Sequence, residues 1–201
     1  MQGFAFVHAP PAVQCVPDAP PDHMPTLTLR QISGDDAHIV ANLHAASWRT
    51  AYRGILSDDY LAGEVQLERQ YVWSKRLEVR DDSQFGILAS VGALPVGFVY
   101  LMANVDPVYG TLVDNLHVVS EARSAGIGPR LLAASAARIV DRGWDARVHL
   151  WVWDANRRAR AFYARLGGRE IETALKSAPD GTEAQTWRVA WDDARAFVAP
   201  T

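Results

Sequence analysis

The run Leu112–Gly143, LVDNLHVVSEARSAGIGPRLLAASAARIVDRG, decides the fold. Its opening, Leu112 to Val119, is apolar and rich in β-branched residues, as a strand requires. Leu131, Leu132, Ser135, Ala136, Ile139 and Val140 then recur at the three-to-four spacing of a helix. Between them lies a tight turn, Arg123-Ser124-Ala125-Gly126-Ile127-Gly128, and Pro129 and Arg130 open the helix. Two glycines let the backbone approach a ligand, and proline suits a first helical turn, where its missing N–H has no intrahelical role. The unpaired N–H groups of that turn, at the positive end of the helix dipole, form an anion site. Strand, glycine turn and helix together read as a phosphate cradle.

The spacing narrows the choice of phosphate. A Walker loop, GxxxxGK[ST], is absent, and the third small residue of a dinucleotide fingerprint is replaced by Leu131. The turn does fit R-x-x-G-x-G, at Arg123, Gly126 and Gly128. Here the chain resembles the GNAT superfamily of N-acetyltransferases, whose members hold the pyrophosphate of acetyl-CoA in such a loop.

The resemblance continues on both sides. Asn156-Arg-Arg-Ala159-Arg-Ala-Phe162-Tyr163-Ala-Arg-Leu166-Gly167 is similar to the second signature of that family, N-x-x-A-x-x-F-Y-x-x-x-G-F. Ser47-Trp48-Arg-Thr-Ala-Tyr52-Arg-Gly-Ile-Leu56 resembles the helix-to-loop segment that walls the family's acceptor pocket. The signatures stand in the family's order, and the resemblance spans roughly Leu27 to Trp191.

Bulk properties agree with one globular domain. The chain has 201 residues, of which 49% are hydrophobic, enough for a substantial core. A net charge of -3 gives no pull toward nucleic acid or an anionic membrane. Cys15 is the only cysteine, which excludes an internal disulfide and a cysteine-rich metal site and suits a reducing compartment. Neither a signal-peptide pattern nor an apolar run of membrane-spanning length is present, so the expected location is the cytoplasm.

In chain order, residues 1–25 hold six of the eleven prolines without a sustained period and read as a flexible extension. The domain is expected over 26–195, with 196–201 as a tail. Thr26–Ile32 alternates as a strand, and Ser33 or Asp35 can cap a helix over Asp36–Ala46. A second helix, Ser57–Leu77, is interrupted near Gly63. Gln84–Ser90 and Val96–Val105 form a hairpin around Val91–Pro95. After the cradle helix come a strand at Arg147–Trp153, a helix at Asn156–Leu166, and strands at Arg169–Leu175 and Glu183–Trp191. The fold class is therefore α/β (α+β): a mixed, mostly antiparallel sheet of six to seven strands with helices on both faces. The resemblance adds that the strand ending near Val119 and the strand from Arg147 splay apart, with the pantetheine arm of acetyl-CoA in the gap.

What the resemblance implies for the site follows residue by residue. Arg123, Ser124, Ala125, Gly126, Ile127, Gly128, Pro129 and Arg130 would hold the pyrophosphate, while Leu116, His117 and Val118 would face the pantetheine. The Val118 N–H would polarise the thioester carbonyl. Asn156, Ala159 and Phe162 would complete the cofactor wall, with Asn156 also capping its helix. Tyr163 would give the departing thiolate its proton, although Ala159, Phe162, Tyr163 and Leu166 also have the spacing of a core stripe. Arg157, Arg158 and Arg160 read as a solvated face or as contacts to the adenosine 3′-phosphate.

The general base is the departure from the pattern. Many relatives carry a glutamate at the place of Leu112, which cannot take a proton. Asp114 has the same strand parity as Leu112 and is the first candidate; His117 has the opposite parity and reads as structural, and His44 is a distant third. Trp48 and Tyr52, four apart, share a helical face and would wall the acceptor pocket or pack the core. Trp144, Trp151, Trp153, Trp187 and Trp191 read as packing residues.

The expected reaction is direct acetyl transfer from acetyl-CoA to a primary amine, small molecule or peptide, without metal or nucleic acid. Homodimers are common in the family. The rival reading is an acyl-CoA-binding regulator of the same fold, and a second is a transferase for longer acyl groups or for protein amines.

Overall fold

The computed structural model describes residues 26–79 and 81–197. The proline-rich stretch 1–25 and residues 198–201 lie outside it. Within the described residues seven strands form one sheet: β1 Leu27–Gln31, β2 Gln84–Val91, β3 Leu94–Asp106, β4 Gly110–Val118, β5 Val148–Trp153, β6 Arg169–Ser177 and β7 Glu183–Trp191, in the order β1-β2-β3-β4-β5-β7-β6. Every neighbouring pair is antiparallel except β4 with β5. That exception follows from the crossover helix between the two strands, which returns the chain in the same direction.

Among the described residues four α-helices dress the sheet: α1 Ala37–Ala51, α2 Val65–Glu78, α3 Ile127–Asp141 and α4 Arg157–Arg165. A core of Val40, Ala41, Leu43, Trp73, Leu88, Phe98 and Tyr100 joins α1 and α2 to one face. A larger core on the other face joins Ile127, Leu131, Leu132, Ala136 and Ile139 of α3 to Val99, Leu101, Val113, Leu150 and Val189. The side-chain alternation of each strand supplies both layers.

The hairpin turn is tighter than expected, since Val91 still belongs to β2 and Leu94 already to β3, and three further boundaries differ. Helix α1 runs five residues past Ala46, since no glycine or proline interrupts it before Gly54, and so carries Ser47 and Trp48. The break expected at Gly63 is a π-helical turn, Tyr60–Glu64, which leads into α2 without leaving the helical path. The closing turn Ala194–Phe197 still belongs to the core, with Phe197 buried among α3 and Trp191, so the domain passes the expected end at 195.

Candidate active site

Strands β4 and β5 pair only at Thr111 with Val148 and at Leu112 with His149; beyond Leu112 they have no ladder contact. On its other side β4 keeps its partner, with Gly97, Phe98 and Val99 opposite Val118, His117 and Leu116. The Val119 N–H donates to Val96 O at 2.9 Å. Because an antiparallel strand alternates the direction of its polar groups, the N–H groups of Val118 and Leu116 then face the gap. The Val118 carbonyl on that side accepts from Arg123 Nε at 3.1 Å, which leaves its N–H as the free donor.

The gap opens into a cleft of about 620 Å³. Its walls come from the end of α1 and the following loop (Ser47, Tyr52, Arg53, Gly54), from β4 (Asp114 to Val118), from β5 (Leu150, Trp151, Val152) and from α4 (Asn156 to Ala159, Phe162, Tyr163). Arg123, Gly128 and Pro129 border it at the cradle. Ser124, Ala125, Gly126, Ile127 and Arg130 are not on the cleft wall; Ile127 is buried in the core, so a ligand there would meet backbone rather than side chains.

The cradle folds as its sequence directs. Ser120–Ala125 is a 3-10 turn, and Gly126 stands at the N-cap of α3 with φ 69°, a left-handed conformation that glycine adopts without strain. A Cβ on Gly128 would lie 3.2 Å from Phe162 Cζ, so the second glycine lets α4 close against the start of α3. Asn156 caps α4 by accepting the Ala159 N–H at 3.2 Å. Arg123 ties the cradle to α1, its Nη2 donating to Thr50 Oγ1 at 2.8 Å.

Charge on the cleft wall is mostly positive, its one carboxylate, Asp114, being paired with Arg76. Arg53, Arg123, Arg157, Arg158 and Arg165 line it, and none of the five has an ion-pair partner among the described residues. Burial, then the neighbouring Arg158, lowers the pKa of Arg123. Arg160, by contrast, is occupied by Asp154 and Glu170 and belongs to the fold.

The tyrosine of the second signature is at the junction of cleft and core. Tyr163 lines the cleft, is otherwise buried, and stacks against Phe162 and Trp191 at 5.2 and 6.0 Å. Burial, reinforced by the nearby Tyr52, pushes its phenol well above the usual range. Tyr52 also lines the cleft; burial pushes its phenol up to about 12, against Arg69 and a hydrogen bond from Trp153. Trp48 is set behind it, 5.3 Å from Tyr52 and 6.5 Å from Tyr60, with the Arg69 guanidinium 4.4 Å over its ring. Of that pair, the cleft wall includes Tyr52 alone. Trp151, read as packing, is on the wall.

The largest departure concerns β4. Tyr100 pairs with Asn115 and Leu101 with Val113, so Asp114 is the extra residue of a bulge. Asp114 keeps the side expected for it, toward α2, where it pairs with Arg76 and accepts from Asn115 Nδ2. The bulge resets the parity beyond it, however. His117, expected on the opposite face, turns to the same side, where its ring is 4.4 Å from His44 of α1 and its Nδ1 is 3.0 Å from Ser47 Oγ. Leu116 packs on the α3 core instead. An extra residue in a strand leaves no mark on its apolar pattern, which is why parity misplaced His117. His44 is buried behind His117 and accepts from Trp73 Nε1 at 2.9 Å.

The architecture is thus a mixed sheet whose one parallel pair parts beside a glycine cradle. The sequence profile of the acetyltransferase (GNAT) family matches residues 43–168, and the chain belongs to that family. An uncharacterized N-acetyltransferase of Methanocaldococcus jannaschii is 31% identical over 151 residues, 73% of this chain; the match spans 62% of that relative's length. Among solved structures, a GCN5-related N-acetyltransferase from Rhodopseudomonas palustris superposes with a TM-score of 0.66 at 20% identity, covering 83% of this chain and 96% of that one. The PaiA N-acetyltransferase of Thermoplasma acidophilum, solved with coenzyme A, gives 0.65 at 18% identity over 81% and 98% of the two chains. Among the described residues no helix is long and apolar enough to cross a membrane.

Proposed function

We propose that this protein transfers the acetyl group of acetyl-CoA directly to the primary amine of an acceptor molecule. One observation carries the reading: the cleft joins a row of strand N–H groups that have lost their β-partner to a set of arginines without carboxylates. An amide-rich arm ending in several phosphates satisfies both at once, since strand donors pair with amides and guanidinium groups with phosphate oxygens. The first-turn N–H groups of α3 and the open space over Gly126 fit the pyrophosphate. Arg157 and Arg158 would meet the outer phosphate, and the Val118 N–H would stabilise the developing oxyanion.

Tyr163 is the proton donor to the thiolate in this reading. Burial makes its phenol a weaker acid than the sequence alone suggests, but burial equally disfavours a thiolate formed beside it, which narrows the mismatch. The acceptor would enter past Tyr52 and Trp151, between the α1 loop and β5.

Thermal unfolding with and without acetyl-CoA tests the co-substrate. At a hundred times its dissociation constant the ligand adds about 2.7 kcal/mol of stability. Gly126→Asp is the control: it places a carboxylate where the phosphates belong, and because a side chain at φ 69° carries strain, its ligand shift is read against its own ligand-free melting point. A shift present in wild type and absent from the variant, followed by CoA release with a panel of amines, supports the proposal. An unshifted wild type overturns it.

A further inference from the structure

The bulge in β4 leaves one proton acceptor on the cleft wall that is not already spoken for. Asp114 is held by Arg76, whose guanidinium stacks 5.0 Å over Trp73 and 5.2 Å over Tyr100, and by the Asn115 amide. Apart from Asp114, the polar side chains of the cleft wall are arginines, hydroxyls, the amides of Asn115 and Asn156, and His117. His117 is fixed on three sides: Ser47 Oγ at Nδ1, His44 stacked at 4.4 Å and 33°, and Phe98 at 5.4 Å. Its Nε2 has no hydrogen-bond partner among the described residues and is not among the solvent-excluded polar atoms. That nitrogen is the edge of the ring left for the cleft.

We propose that His117 Nε2 takes the proton from the acceptor nitrogen during transfer, and that Ser47 is the positioning residue that holds the ring for it. The inference rests on the acetyltransferase reading. The neutral amine attacks the thioester carbon and forms the C–N bond, which leaves the nitrogen positively charged. As the C–S bond breaks, the N–H proton passes to His117 Nε2 and the thiolate sulfur takes the phenolic proton of Tyr163. The proton on His117 then returns through water in the cleft to the Tyr163 phenolate, so amine and thioester become amide and thiol with nothing left over.

The environment suits a late transfer. Burial first, then Arg69 and Arg123, brings the imidazole down to about 3, so it stays neutral and does not trap the proton. Such a base cannot strip a free ammonium. It can accept from a nitrogen whose lone pair is being drawn into an amide, because the acidity of that N–H rises steeply as the C–S bond gives way.

The test compares wild type with His117→Ala, His117→Gln and Ser47→Ala by CoA release at saturating acetyl-CoA. His117→Ala and His117→Gln should lose roughly 100-fold in kcat. Both should keep the acetyl-CoA thermal shift, and Ser47→Ala should lose several-fold. Imidazoles of graded basicity should restore His117→Ala, more strongly the more basic the imidazole, which a merely structural histidine does not predict. Glutamine, close in size, serves if alanine unsettles the fold. An active wild type with His117 variants within threefold of it, or a rescue indifferent to basicity, overturns the assignment of His117 alone. A wild type that binds acetyl-CoA but releases CoA to no amine overturns the transfer reading and this assignment with it.

Discussion

Tyr163 separates two roles that one side chain can hold. Its ring belongs to the core beside Trp191, while no hydrogen bond within the described chain engages its hydroxyl. Tyr163→Phe should therefore melt within about 0.5 kcal/mol of wild type, as a substitution that removes no contact. If the hydroxyl protonates the thiolate, the same variant loses roughly 100-fold in kcat with its affinity for acetyl-CoA intact. CoA release and thermal unfolding on one preparation separate the two effects; a variant as fast as wild type removes Tyr163 from the chemistry. Asp36 is the opposite case, a residue without a role in the cleft. It is buried and accepts from Arg30 at 2.6 and 2.7 Å and from the Ser33 N–H and hydroxyl at 2.8 and 3.0 Å. Asp36→Asn removes the charge from that set and should cost about 2 kcal/mol, read from the urea midpoint, with catalysis unchanged.

At the scale of elements, the strands and helices were readable from the chain because each carries its own period. The gap between β4 and β5 came from the resemblance, and the register shows why it exists: only two residue pairs hold the strands together. What was not readable is set by contacts between elements. The bulge at Asp114 needs a partner strand to be defined, so parity along β4 could place Asp114 but not His117. The arginines raise the same issue, since sequence puts Arg157, Arg158 and Arg160 on one helix while only Arg160 finds carboxylates. Arg76 of α2 fastens the bulge to the helical layer through Asp114 and two aromatic rings. Arg76→Ala should cost about 2 kcal/mol because Asp114 is left half-buried without its cation. Adding Asp114→Asn should recover part of that loss, a coupling that a double-mutant cycle measures; strict additivity would mean that the pair does not brace the bulge.

Across the whole molecule, the buried histidines link folding to pH. His44 is lowered well below its ordinary value, by burial first and then by His117, Arg69 and Arg76. His117 is lowered to about 3 by burial, Arg69 and Arg123, and His149 is lowered by burial above all. A histidine whose folded pKa lies below its unfolded value of about 6.5 binds its proton only in the unfolded chain between those two values. The unfolded state is then favoured as pH falls, so stability should be full above about pH 6.5 and decline on acidification toward pH 4. Carboxylates such as Asp36, held below the usual range first by its Arg30 hydrogen bonds, add their own loss below about pH 5. The interval from about pH 6.5 to 5 therefore isolates the histidines. Urea unfolding across it should show a slope that His117→Gln reduces by up to about 1.4 kcal/mol per pH unit, the weight of one proton. An unchanged slope would mean that the folded ring takes up its proton over the same pH range as the unfolded chain, so that burial does not hold His117 neutral below about pH 6.5.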